Sequence, residues 1–394
     1  MAHILVNAVS AKSGGAATYA ANLARHFASI GSPHRFIFYV PADLQKSVSS
    51  TNGQVVVVAT TIGTTPSWRR FVWDQFTLRG IIKRERIDIL ISSSDFGMIS
   101  PPCRQLLFIR NALFFSPFYS RSILPQQSWR ARLAFRARKW LVLLSAKFSD
   151  VVMTASLTML NDFQLRTRSS HNTAVVNYLG VPLERFVPQE SSFKTQLEDA
   201  SKPFRLLHVS TYSDYKNLTT LLKAIRILAE QEPPGSITLT TTADPWQFPD
   251  VEVVSRKEDQ SLAAHPCIVP FVKFTGTIAY EDIARFYANH DLFVFPSLVE
   301  SFGHPLVEAM ASGLPILAAD IPICREVCGD AALYFSAFDP ADLGEKILLL
   351  RRDPQLRRQL GEAGRKRAEK QFDWKDHVRR LVELIEQVRS HART

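Results

Sequence analysis

The stretch DLFVFPSLVESFGHPLVEAMASGLPILAAD, running from Asp291 to Asp320, holds the residues best suited to do chemistry. Asp291 to Ser297 reads as a buried strand. Pro305 suits the first turn of a following helix, whose unpaired amides then face the loop SLVESFGH. Amides around Phe302, Gly303 and His304, with glycine permitting close approach, form a site for an anion such as a diphosphate. Glu300 lies in the loop and Glu308 in the first turns of the helix, so both carboxylates can face one crevice at the carboxyl edge of a sheet. Carboxylates placed there bind sugar hydroxyls well. Two glutamates eight residues apart mean little alone, because helix starts favour carboxylates; the strand, glycine loop, proline-started helix and following strand give them their meaning.

A second element is HVSTYSDYKNLTTLLKAI, where a strand from Phe204 to Ser210 ends, a polar loop follows and Lys216 stands just ahead of a helix. A lysine beside helix amides is placed to neutralise a departing diphosphate. Near the start, Gly14 and Gly15 lie between the first strand and a helix, where their amides can approach phosphate or sugar; turn geometry explains them equally well. The strand RQLLFIRNALFF ends at Arg110 and Asn111. A permanently protonated Arg110 cannot act as a base and would bind phosphate or acceptor, or pair with a charge at the strand end. His304 can touch phosphate from the anion loop, whereas His208, in an apolar strand, reads as packed and hydrogen-bonded. There is no Asp-x-Asp and no Cys-x-x-Cys, so we expect no metal and no cofactor.

The elements that must position these groups are short β-rich runs alternating with helical stretches, among them HILVNAV, RFIFYV, IDILIS and VVMTA in one half and FRLLHVST, SITLTT, DLFVFPS and LPILAAD in the other. Continuous apolar strands alternating with helices mean parallel sheets covered on both faces, hence an α/β chain of two doubly wound, Rossmann-like domains. A polar segment rich in Ser and Gln, VPQESSFKTQLEDASKP, breaks the pattern. The expected domains are 1–186, a linker at 187–203, 204–373, and a last segment 374–394 whose Val378, Leu381, Leu384, Ile385 and Val388 share one helical face and must dock on something.

With 394 residues, 46% hydrophobic and 21% charged, the chain is neither disordered nor fibrous. No apolar window reaches the roughly 18 residues of a membrane span. The N-terminus reads as a first strand rather than a signal peptide, and four scattered cysteines fit a reduced, cytoplasmic setting. Charge is uneven: residues 1–196 hold 23 Lys+Arg against 9 Asp+Glu, and residues 197–394 hold 24 against 28. The basic half suits phosphates or an anionic bilayer. Within it, Arg121, Arg130, Arg132, Arg136, Arg138, Lys139 and Lys147 occur with no acidic residue between them, interleaved with Trp129, Phe135 and Trp140. Leu133, Ala137, Trp140, Leu141 and Leu144 fall at helical spacing. This pattern is either a core-facing helix with a basic back or a bilayer contact; we expect the stripe to pack and the back to meet an anionic surface.

ESFGHPLVE resembles the E-x-F-G-x-x-x-x-E signature of retaining, GT-B type glycosyltransferases of family 4. FTGTIAYEDIARFYANHDLFVFPS and DIPICREVCGDAALYFSAFDPADL resemble the flanks of that signature, and SDVVMTAS, NYLGVPLERFVP and SGGAATYAANLARHF resemble the first domain. The resemblance implies two domains facing across a cleft, with the last helix returning to the N-terminal domain. It implies transfer of a hexosyl group from a nucleotide-diphosphate sugar to a glycan or lipid-linked acceptor, in cell-surface polysaccharide or glycolipid assembly, without nucleic acid. It implies that Glu300 contacts sugar hydroxyls, Glu308 the ribose, the Phe302 and Gly303 amides sugar and phosphate, and Val272 and Thr277 the nucleobase region. Lys216 would serve the departing diphosphate and the Gly15 loop would face the donor. Two departures stand out. Similar enzymes carry Arg near Ser210 or Thr211, a role for which Arg325 is the candidate here, and they place His where this chain has Arg110. A nucleotide-sugar epimerase or phosphorylase of similar fold, or a non-catalytic sugar-nucleotide or glycan binder, is the alternative.

Overall fold

The computed structural model describes residues 1–11, 14–48, 53–167, 173–188 and 202–390, so most of the expected linker lies outside the described residues. The chain divides into two compact units: Met1–Phe115, Leu133–Gly180 and Trp374–Thr394 form one, and Ser116–Arg132 with Val181–Asp373 the other.

The first unit is built on seven parallel strands, β1 (His3–Asn7), β2 (Arg35–Pro41), β3 (Val55–Thr60), β4 (Ile89–Ser92), β5 (Arg104–Ile109), β6 (Val151–Thr154) and β7 (Thr173–Val176). Their order is β3-β2-β1-β4-β5-β6-β7. The second carries β8 (Phe204–His208), β9 (Ile237–Thr241), β10 (Val272–Phe274), β11 (Leu292–Phe295), β12 (Ile316–Ala319) and β13 (Leu333–Phe335), ordered β10-β9-β8-β11-β12-β13. Central strands such as ILIS in β4, LFVF in β11 and ILAA in β12 are buried throughout, as expected of strands covered on both faces. In each sheet the order reverses beside the first strand, between β1 and β4 and between β8 and β11. Loops leaving those neighbours diverge and open a crevice at the carboxyl edge.

The helix Trp374–Ser390 belongs to the first unit, burying Trp374, Val378, Leu381, Ile385 and Val388. Polar bonds fix it: Asn177 Nδ2 donates to the His377 carbonyl at 3.2 Å, and Arg380 Nε to Asn177 Oδ1 at 2.9 Å.

Two features differ from the sequence reading. Residues 116–132 and 181–186 group with the second unit rather than with a domain 1–186. Their contacts explain it: Phe118 packs on Phe338 and Tyr119 on Tyr215, with ring centroids 5.6 and 6.4 Å apart, and Glu252 accepts from the Ser128 amide and hydroxyl at 2.6 and 2.8 Å. In the helix Trp129–Lys147, the stripe expected to pack is largely uncovered. Leu133, Ala137 and Trp140 are exposed, Leu141 and Leu144 partly buried, and the buried residues are instead Val142, Ser145 and Ala146 near the C-terminal end.

A side chain at Gly180 would place its Cβ 2.5 Å from Trp374 Cα and 2.6 Å from Trp374 N, both backbone atoms. Gly180→Ala should therefore destabilise the first unit by about 1–3 kcal/mol, read as a lower urea midpoint, because neither backbone can retreat without disturbing the docked helix.

Candidate active site

Lys216 and Glu300 leave the second sheet at its switch point, from the loops after β8 and β11. Lys216 ends the short turn Asp214–Lys216, and its Nζ lies 2.5 Å from Glu300 Oε1. The two side chains are only 12% and 11% exposed. Burial, the largest single influence, lowers the pKa of Lys216, but the charge of Glu300, the neighbouring Tyr215 and the hydrogen bond to Glu300 together outweigh it and the net shift is upward. The loops are stitched together beside the pair. Leu298 N donates to the Tyr215 carbonyl at 2.8 Å. Asn217, left-handed at φ 57°, donates through Nδ2 to the carbonyls of Pro296 (3.2 Å) and Ala337 (2.8 Å) and accepts from the Thr220 hydroxyl (2.8 Å).

Beyond Glu300, Gly303 adopts φ 80° and opens the helix His304–Ala311, with Pro305 in its first turn. That backbone favours glycine, which leaves the adjacent helix amides free of a β-carbon. The Phe302 side chain is buried edge-on against His304 and Phe372, with centroids 5.3 and 5.4 Å apart, so what it offers a ligand is backbone. Glu308 is buried and accepts from the Tyr287 hydroxyl at 2.9 Å; loss of solvent pushes its pKa up to about 7.

Sequence reasoning missed one set of groups. His208 Nε2, Ser213 Oγ and Ser297 Oγ are buried without a hydrogen-bond partner among the described residues. His208 ends β8, Ser213 opens the Lys216 turn and Ser297 lies between β11 and Glu300, so all three sit on the segments that carry the ion pair. Burial, then the Lys216 charge, lowers the His208 pKa to about 3, and its Nδ1 is 3.0 Å from the Thr241 hydroxyl, so the ring stays neutral. Buried polar atoms normally find partners. The available signal was a histidine closing an otherwise apolar strand, which we expected to be fully bonded.

The remaining candidates scatter. Thr277 follows Gly276, which has φ 64°, and lines a cavity of about 600 Å³ with Thr275, Asp282, Arg285 and Asn289. Val272 is partly buried against the core of the second unit. Arg325 makes a bidentate ion pair with Asp320, both contacts 2.7 Å, and lies over the Tyr334 ring. Its fork is thus engaged by a neighbour five residues away. Among the described residues, no cluster of His, Cys, Asp or Glu is arranged to hold a metal ion.

In the first unit the structure brings Gly15 and Arg110 together. Gly14 begins the helix Gly14–Ser29, and Arg110 Nη2 donates to the Gly15 carbonyl at 2.9 Å while its guanidinium lies 4.8 Å from the Tyr19 ring centroid. Asp95 Oδ1 accepts from the amides of Arg110 and Asn111 at 2.7 and 2.9 Å. Asn111 spends its own side-chain oxygen on the Leu113 amide, at 3.1 Å, capping a short turn. Tyr19 continues the network to His377 Nε2 at 3.2 Å, and His377 Nδ1 lies 2.9 Å from the Tyr178 carbonyl. A carbonyl only accepts, so Nδ1 carries the proton and Nε2 receives the Tyr19 hydroxyl.

Two parallel-sheet, Rossmann-like units of this topology define the GT-B fold, and comparison with solved structures agrees. Sucrose-phosphate synthase from Thermosynechococcus elongatus superposes with a TM-score of 0.76 at 19% identity, covering 98% of this chain and 99% of that one. Anabaena Alr3699/HepE in complex with UDP-glucose gives 0.72 at 18% identity, covering 98% and 100%. Residues 189–367 match the family model described as glycosyl transferases group 1, and residues 13–185 that described as glycosyltransferase family 4. The chain belongs to the GT-B glycosyltransferases of family 4. A curated relative, MMP alpha-(1->4)-mannosyltransferase of Mycolicibacterium hassiacum, is 28% identical over 259 residues, 65% of this chain and 55% of that protein. The chain spans about half the length of the curated relatives it matches.

Two outcomes follow from this geometry. Asn217→Gly keeps the left-handed backbone but removes three side-chain hydrogen bonds, so the second unit should lose on the order of 1–3 kcal/mol of stability, read as a lower urea midpoint. Because Glu308 has a folded pKa near 7 against 4.5 when unperturbed, the folded state holds the extra proton between those values. The contribution of Glu308 to stability should decline as pH rises through that window. Urea unfolding of the nucleotide-free protein should show the wild type losing on the order of 2 kcal/mol relative to Glu308→Gln from its acid to its neutral end.

Proposed function

We propose that the chain is a retaining hexosyltransferase that takes its sugar from a nucleotide-diphosphate donor and passes it to a glycan or lipid-linked acceptor, in cell-surface polysaccharide or glycolipid assembly. The observation that carries this reading is the buried Lys216–Glu300 pair at the switch point of the second sheet, beside the helix that begins after Gly303. A diphosphate and a sugar are the ligand parts that can replace both halves of that pair, phosphate oxygens taking Lys216 and sugar hydroxyls taking Glu300. Glu308, four residues into its helix, is assigned the ribose, and the amides near Phe302 and Gly303 the phosphate. The unpartnered His208, Ser213 and Ser297 support a polar occupant there. A mannosyltransferase among the relatives and a UDP-glucose complex among the structural neighbours fit a hexose donor.

In the reaction proposed, the bond between the sugar anomeric carbon and the phosphate oxygen breaks, and Lys216 with the helix amides stabilises the charge left on the diphosphate. The acceptor oxygen bonds to the anomeric carbon from the same face. Its proton goes to the departing phosphate oxygen, the most basic atom on that side. Glu300 holds the sugar in register instead of attacking it. The first unit is assigned the acceptor, with Gly14, Arg110 and Asn111 as its candidate contacts. We place this action in the cytoplasm, where Cys103, Cys267, Cys324 and Cys328, all free thiols, remain reduced.

A panel of UDP-, GDP-, ADP- and dTDP-sugars should contain one that raises the melting temperature and is slowly hydrolysed. Glu300→Gln should keep that stabilisation while turnover falls about 100-fold or more, since the lost interaction matters most at the transition state. Near-normal turnover by this variant, or conversion of the sugar nucleotide without transfer, would sink the reading, the second outcome favouring an epimerase.

A further inference from the structure

The helix Trp129–Lys147 leaves an apolar row uncovered. Trp129, Leu133 and Trp140 are 63%, 61% and 61% exposed. At 3.6 residues per turn they fall within about 40° of one another around the helix axis. Arg136 and Lys147, both exposed, share the row, and Arg132 and Lys139 flank it. The helix carries six Lys and Arg and no Asp or Glu. A second apolar row lies on the preceding part of the first unit: Trp68, Val72 and Phe76 are exposed at intervals of four, and the exposed Arg69 lies over the Trp68 ring. The two elements meet at one carbonyl, that of Gly97, which accepts from Gln75 Nε2 at 3.4 Å and from Ser145 Oγ at 3.3 Å.

The chemistry of these rows selects the partner. A second copy of this chain would set one carboxylate-free basic helix against another, and like charges repel. A nucleic acid would satisfy the cations and stack on the indoles, but offers nothing to Leu133, Val72 or the aliphatic stems of the arginines. A surface of anionic headgroups over an acyl boundary satisfies every member: phosphates meet the guanidinium and ammonium ends, indoles sit at headgroup depth, and the leucine and arginine stems reach the acyl edge. We propose that the Trp129–Lys147 helix docks on the surface of an anionic bilayer, lying in the headgroup layer; no helix among the described residues is long and apolar enough to cross one.

The test is co-sedimentation of the full chain with vesicles of phosphatidylcholine alone and of phosphatidylcholine and phosphatidylglycerol in equal parts. Binding should occur to the anionic vesicles only, with a blue shift of tryptophan emission, and should weaken by about tenfold or more when salt shrinks the Debye length from roughly 10 Å to roughly 3 Å. The double variant Trp129→Ser, Trp140→Ser should lose about tenfold in vesicle affinity while its circular dichroism and its stabilisation by a nucleotide sugar stay as in wild type, since both side chains are exposed. Equal binding to neutral vesicles, unchanged binding by the double variant, or no vesicle binding would each overturn the proposal. So would an emission shift that tracks protein concentration without lipid, which would assign the row to a dimer. Because donor stabilisation is read separately, failure here leaves the transferase reading standing.

Discussion

Everything at the candidate site depends on a cation and an anion held together out of water. Removing Lys216 and Glu300 from solvent costs more than their attraction returns unless the surroundings fix their geometry. The fold supplies that fixing through topology. β8 and β11 are sheet neighbours, so the two loops leave adjacent strand ends, and the Leu298–Tyr215 and Asn217–Pro296 bonds tie them close to each charge. The pair also presets the path for a ligand. On the proposed reading, an arriving phosphate need not meet a naked buried ammonium, nor a sugar a naked carboxylate, because each group gives up one partner as it gains another.

Burial around the pair removes competing charges. His208 is held neutral, so it adds no full charge beside Lys216. The Cys324 thiol is also buried, and burial raises its pKa well above the ordinary range. The region is therefore tuned to one strong ion pair set among neutral polar groups. Such an environment makes each electrostatic contact with a ligand stronger than it would be in water, and charges less for rearranging them during reaction.

What was legible in the sequence was what local chemistry dictates. The run from Asp291 to Asp320 announced a strand, a turn needing glycine and a helix beginning at proline, and the structure has β11, Gly303 at positive φ and a helix starting at His304. The alternating strands gave the two sheets for the same reason. Partnership across the chain was not legible. Lys216 and Glu300 are 84 residues apart, and each alone looked like a solvated charge or a ligand contact. Whether Ser213 or Ser297 keeps a partner depends on what lies over it, which no spacing records. The Trp129–Lys147 helix shows the same limit from the other side: periodicity says that Leu133 and Trp140 share a face, but covering that face takes an element from elsewhere, and the packing contacts fell to Val142, Ser145 and Ala146 instead.

The first unit shows how a substitution of residue type reshapes a neighbourhood. Where similar enzymes place histidine, Arg110 reaches the Gly15 carbonyl and lies over Tyr19, whose hydroxyl is tied through His377 to the last helix. A histidine could exchange a proton there; an arginine keeps its charge throughout the range in which proteins stay folded. Proton acceptance at that point is therefore closed, and what Arg110 supplies is a fixed cation and an anchor for the first turn of the helix Gly14–Ser29. Because the anchor runs through Tyr19 to His377, the helix Trp374–Ser390 does more than cover apolar surface: its docking sets the ring against which the guanidinium is oriented. Loosening that helix would move Arg110 and the Gly15 carbonyl together, so the start of the helix Gly14–Ser29 is positioned by residues near the end of the chain.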